Sequence, residues 1–121
     1  LGLTVGLLAV TVPAASAKTG DVRRSGTCSR SATWKLKASP ENGRVEVEAE
    51  VDSNVVGQAW SVVIRDNGVA VASATGITLA PSGSFSINRV IANRAGTDVI
   101  SLRATNARTG EVCTGSLSYT A

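Results

Sequence analysis

An Asn-Gly pair set between two runs of alternating apolar and polar residues leaves a chain few ways to fold, and this chain has one at Asn42-Gly43. Before it, Trp34, Leu36 and Ala38 alternate with Thr33, Lys35 and Lys37; after it, Val45, Val47, Ala49 and Val51 alternate with Glu46, Glu48, Glu50 and Asp52. Successive side chains on a strand point to opposite faces, so each run has one apolar and one charged face. Asn and Gly accept the positive φ of a tight hairpin turn. A two- or four-residue loop centred there sets Trp34 opposite Val51, Leu36 opposite Ala49 and Ala38 opposite Val47. On the other face Lys37 then meets Glu48, and Lys35 meets Glu50. A slip of one residue would press Trp34 against Glu50, which burial forbids.

The same grammar continues. Trp60, Val62 and Ile64 share a face, Asn67-Gly68 turns the chain, and Val69 to Ser73 returns. Residues 76–83 read as a crossing loop. Ser84 to Ala92 reads as a strand with Phe85 and Ile87 on one side and a bulge expected near Asn88-Arg89. Residues 93–97 read as a corner. Ile100, Leu102 and Ala104 mark another strand, Ala107 to Gly110 a turn, and Glu111 to Thr120 the last strand. Seven short antiparallel strands with no helical period predict a β-sandwich over residues 31–121. Trp34, Trp60 and Phe85 are its expected core anchors.

Trp60 on the third strand, and the corner Ala95-Gly96-Thr97-Asp98 leading into Val99-Ile100-Ser101, resemble bacterial immunoglobulin-like repeats. As a whole the chain resembles small secreted immunoglobulin-like or fibronectin-type-III-like sandwich proteins of high-GC Gram-positive bacteria. The antibody cysteine pair between the second and sixth strands is missing, and so is a tyrosine at the corner.

Residues 1–17 (LGLTVGLLAVTVPAASA) carry no charge. An apolar run too short to span a bilayer leads into Ala15-Ser16-Ala17, the small-residue pattern of signal peptidase cleavage, here before Lys18. The segment reads as an N-terminally truncated signal peptide, and no membrane span is expected after its removal. Secretion places Cys28 and Cys113 in an oxidising compartment. Two cysteines allow one pairing, and a sandwich whose first and last strands begin at the same end brings this pair together. A structural disulfide is therefore expected.

Residues 18–30 lack periodicity and read as a flexible basic leader. They hold Lys18, Arg23, Arg24 and Arg30 against Asp21, which is 4 − 1 = +3 and equals the formal charge of the whole chain. The sandwich is then neutral, and nucleic-acid binding, which needs positive charge on a structured face, is not expected.

Candidate chemistry is thin. With no histidine, Ser-His-Asp and Cys-His catalysis and histidine-ligated metals are excluded. The run Glu46, Glu48, Glu50 faces lysines on a solvated sheet, which suits charge pairing better than a glycosidase pair. Asp52-Ser53-Asn54 and Asp66-Asn67-Gly68 fall at opposite ends and cannot assemble the six or more oxygens of a calcium site. No enzyme, cofactor or metal is expected. The expected role is a non-catalytic module that binds or adheres at or near the cell surface, its partner an extracellular protein or cell-wall glycan. Candidate contact residues lie in two loops at the disulfide end: Asn54, Val55, Val56 and Gln58, and Asn106 and Arg108. Val55 and Val56 are expected to tuck into the end of the core, while Val63 and Val71 suggest a self-association face. A small-molecule carrier and an enzyme inhibitor presenting residues 76–83 with Pro81 are the alternatives.

Overall fold

The computed structural model describes residues 20–120, all β and turn. The proposed signal segment, residues 1–17, lies outside the described residues. Eight strands follow in order: β1 Val22–Thr27, β2 Thr33–Glu41, β3 Arg44–Asp52, β4 Ala59–Asp66, β5 Val69–Ile77, β6 Ser84–Ile91, β7 Thr97–Asn106 and β8 Val112–Thr120. They form two antiparallel four-stranded sheets, β1-β2-β3-β6 and β5-β4-β7-β8.

The β2–β3 hairpin has the register that charge and burial demand, with Trp34 opposite Val51, Lys37 opposite Glu48 and Lys35 opposite Glu50. Asn42 and Gly43 sit at φ 50° and 79°, and Asn67 and Gly68 at 51° and 85°. Both central residues have positive φ, as a type I′ turn requires. Lys37 Nζ lies 3.4 Å from a Glu48 carboxylate oxygen. The apolar parity of each strand points into one core, where Leu36, Val45, Val47, Trp60, Val62, Ile64, Ile100 and Leu102 are fully buried, with Trp34 and Phe85 closing its edges.

Three expectations need correction. The described residues form eight strands rather than seven, because residues 22–27 of the proposed leader are β1, paired with β2 from Val22 opposite Ala38 to Thr27 opposite Thr33. Edge strands gain one neighbour and need no alternation, so the residues gave no period to read. The bulge is also elsewhere. β3 and β6 pair without interruption through Asn88 and Arg89, whereas β4 and β5 shift register between Ile64 and Arg65. The apparent slip at Asn88-Arg89 reflects the outer position of β6, where both faces are partly solvated. Finally, the crossing segment 76–83 begins inside β5 and continues through an isolated bridge between Leu79 and Ser84.

The Cys28–Cys113 disulfide joins the β1–β2 connection to the start of β8, tying the two sheets along one edge. Beside it the Glu111 carboxylate, buried, accepts hydrogen bonds from the backbone N–H groups of Arg30 (3.0 Å) and Ala32 (2.9 Å). No helix among the described residues is long and apolar enough to cross a membrane.

Trp34 packs over this edge. A Cβ at Gly115 would stand 2.2 Å from Trp34 Cη2, and one at Gly26 2.9 Å from the same indole. Both strands flanking the ring therefore give up a side chain to admit it. Gly115→Ala is expected to destabilise the fold by about 2 kcal/mol, the usual cost of overpacking a well-filled core. A chemical-denaturation midpoint unchanged from wild type would count against this packing.

Candidate functional site

The two loops expected to form a contact surface do meet at the disulfide end. Ala107 donates its N–H to the Ala59 carbonyl, and residues 55–59 and 106–109 line a shallow depression of about 400 Å³ between them. The loop after β3 is held from below by Thr78, which is fully buried. Thr78 Oγ1 donates to the Val55 carbonyl and accepts from the Gln58 N–H, while the Thr78 carbonyl accepts from Gly57. Gly83, at φ 77°, passes so close that a Cβ there would lie 2.4 Å from the Val55 nitrogen. Asn54 takes a left-handed φ of 62° and its N–H donates to Asp52 Oδ1.

This anchoring holds the valines outward. Val55 and Val56 are 51% and 54% exposed, and Leu79, on the adjoining turn, is 61% exposed. The expectation that Val55 and Val56 tuck into the core is overturned, because Thr78 already fills the space beneath the loop. Asn106 is buried at the edge of the depression, and its Oδ1 accepts the N–H groups of Arg108 and Thr109, which shapes the turn. Gln58 is half-buried, and Arg108 is exposed at the rim. Val63 and Val71 are half-buried.

Ordering β1 creates a second surface. Arg23, Arg24, Lys35 and Lys37 line a groove of about 650 Å³ with Ser25, Glu48 and Glu50 on the outer side of β1-β2-β3. Its cations are largely answered locally. Arg23 pairs with Asp21 at 3.5 Å and Lys37 with Glu48 at 3.4 Å, and Arg24 Nη1 donates to the Arg23 carbonyl. Six of its eight lining residues are charged, unlike the mainly apolar cleft a carrier needs.

At the opposite end of the sandwich, Asp66 closes β4 and Asp98 opens β7, both fully buried. Arg94 covers them from the β6–β7 corner, with its Nε 3.4 Å from Asp66 Oδ2 and its backbone N–H donating to Asp98 Oδ1 at 3.3 Å. Burial, and then the neighbouring Asp98 carboxyl, raise the Asp66 pKa to about 6 against the opposing pull of Arg94. Alternation along β4 and β7 carries a signal for this buried pair. Asp66 has the inward parity of Trp60, Val62 and Ile64, and Asp98 that of Ile100, Leu102 and Ala104.

Among the described residues no group of three or more Cys, Asp or Glu side chains is placed to hold a metal ion. The expectation of no metal or cofactor rests on residue types alone. No family model, curated protein or solved structure matches the chain.

Proposed function

We propose that the chain is a non-catalytic, secreted binding module that docks an extracellular protein at its disulfide end, at or near the cell surface. The observation that carries this reading is the outward, anchored display of Val55, Val56 and Leu79. Leaving an aliphatic side chain in water forgoes roughly 1.5–3 kcal/mol of burial. Contiguous exposed apolar groups on a soluble domain mark interaction sites. Loops fixed by Thr78 need little ordering on binding, which favours affinity. Secretion is supported by the uncharged segment 1–17 ending in Ala15-Ser16-Ala17 and by the disulfide.

The inhibitor reading is a special case of the same docking, and the exposure of Leu79 on an ordered turn favours it. A triple variant, Val55→Ser, Val56→Ser and Leu79→Ser, tests the proposal. Immobilised wild-type protein should retain a specific protein from the producing cells' supernatant or surface extract. The variant should lose at least tenfold of that retention while keeping its melting temperature. Equal retention by both proteins would discard the tip as the working surface. Protease assays of the same fractions distinguish inhibition from adhesion.

A further inference from the structure

Charge is distributed between the two sheets in a way that counting residues along the chain does not show. Of the nine acidic residues, Asp21 lies beside β1, and Glu41, Glu46, Glu48, Glu50 and Asp52 lie on β2 and β3. The other three, Asp66, Asp98 and Glu111, are buried. The outward face of β5-β4-β7-β8 therefore presents no carboxylate among the described residues. It does present Arg65 on β4 and Arg103 on β7. Arg65 stands opposite Ser101 and Arg103 opposite Val63, so the two share a face on neighbouring strands, two positions apart. Such diagonal positions are roughly 7–8 Å apart, within reach of one anion or two successive anionic groups.

Neither arginine makes an ion pair or hydrogen bond with any described residue. On the other sheet, Lys37 and Arg23 already have carboxylates at 3.4 and 3.5 Å, so a bound anion there would displace a partner. Here it would supply one. Around the pair the face offers hydroxyls, Ser61 beside Thr105 and Ser116 beside Ser101 on β8, interspersed with Val63 and Val99. We propose that this face binds an anionic glycan. Arg65 and Arg103 would take its carboxylate or phosphate groups, and the serine and threonine rows would take sugar hydroxyls. Guanidinium groups bind both anions through paired N–H donors.

Other occupants fit less well. Single-stranded nucleic acid needs exposed aromatic rings for stacking, and Trp34, Trp60, Phe85 and Tyr119 are all buried. A second copy would have to offer its own exposed carboxylates, but these lie among Lys35 and Lys37, which would face the arginines.

The test is affinity electrophoresis of the disulfide-bonded protein through gels containing polygalacturonate, phosphomannan or neutral dextran at low salt. Wild type should be retarded by one or both anionic polymers and not by dextran. Retardation by polygalacturonate alone assigns a uronate, by phosphomannan alone a phosphate-bearing glycan, and by both the shared anion chemistry. Arg65→Ala/Arg103→Ala should weaken binding at least tenfold. Lys35→Ala/Lys37→Ala, with the same loss of charge on the other sheet, should change it less than twofold. The tip variant should bind the polymers like wild type, which separates this face from protein docking. No retardation, equal loss in the two charge variants, or loss tracking a shift from dimer to monomer in light scattering would each overturn the proposal.

Discussion

Replacing Cys28 and Cys113 together by alanine is expected to lower the unfolding free energy by about 4 kcal/mol. The bridge closes a loop with a sequence separation of 85. In the chain-entropy account, a cross-link of that span removes conformations from the unfolded chain worth roughly 4–5 kcal/mol. Domains of this size have only about 5–15 kcal/mol in all, so the loss takes a large share of stability. It corresponds to a fall in Tm of roughly 20 °C. The effect should be concentrated at one edge. The bridge fastens the β1–β2 connection to β8, and β1 has β2 as its one strand neighbour. Amide hydrogen exchange in the double variant should therefore accelerate first in residues 22–27. A thermal scan showing a drop under 5 °C would mean that Trp34 and the Glu111 hydrogen bonds close this edge without the bridge.

The contrast between β1 and the β2–β3 hairpin shows what a sequence can and cannot state about such a fold. The hairpin was readable because a two-residue turn, opposite charges and burial each demand the same register. β1 is held by backbone pairing at a sheet edge, and its residues alternate in no consistent way. Its one specific token, Gly26 beneath Trp34, has meaning only once the indole is placed. The tip was half legible. Topology brought the two loops together as expected, but the direction of Val55 and Val56 depends on Thr78, a residue that reads as ordinary loop. The acid-free face was hidden for a different reason. Formal charge along residues 31–121 sums to zero, yet Asp66, Asp98 and Glu111 are withdrawn into the interior, which leaves Arg65 and Arg103 on a face with no exposed carboxylate to offset them. Parity alone marks Asp66 and Asp98 as inward, and inward carboxylates within a run of Ile, Val and Leu should be treated as a signal rather than noise.

That buried pair leads to the second large prediction, in which stability falls as pH rises. The folded state holds the Asp66 proton more tightly than the unfolded chain, with a pKa of about 6 against 3.8. A group whose folded pKa is raised contributes stability that is fully present below the unfolded value and is lost as pH climbs through the folded one. The window is therefore about pH 4 to 6, and two units at 1.36 kcal/mol per unit bring the loss to about 3 kcal/mol. Total stability sums over every ionisable group, so the clean measure is a difference. Asp66→Asn keeps the shape, remains neutral and can donate to Asp98. Wild type minus variant unfolding free energy, from urea melts at pH 4, 5, 6 and 7, should decline by about 3 kcal/mol across the series. Arg94→Ala should steepen the decline, because the guanidinium 3.4 Å from Asp66 is what tolerates the carboxylate above pH 6. A difference that is flat or rises with pH would mean that Asp66 ionises freely in the folded protein. The enclosure by Arg94 and Asp98 would then be looser than their contacts imply.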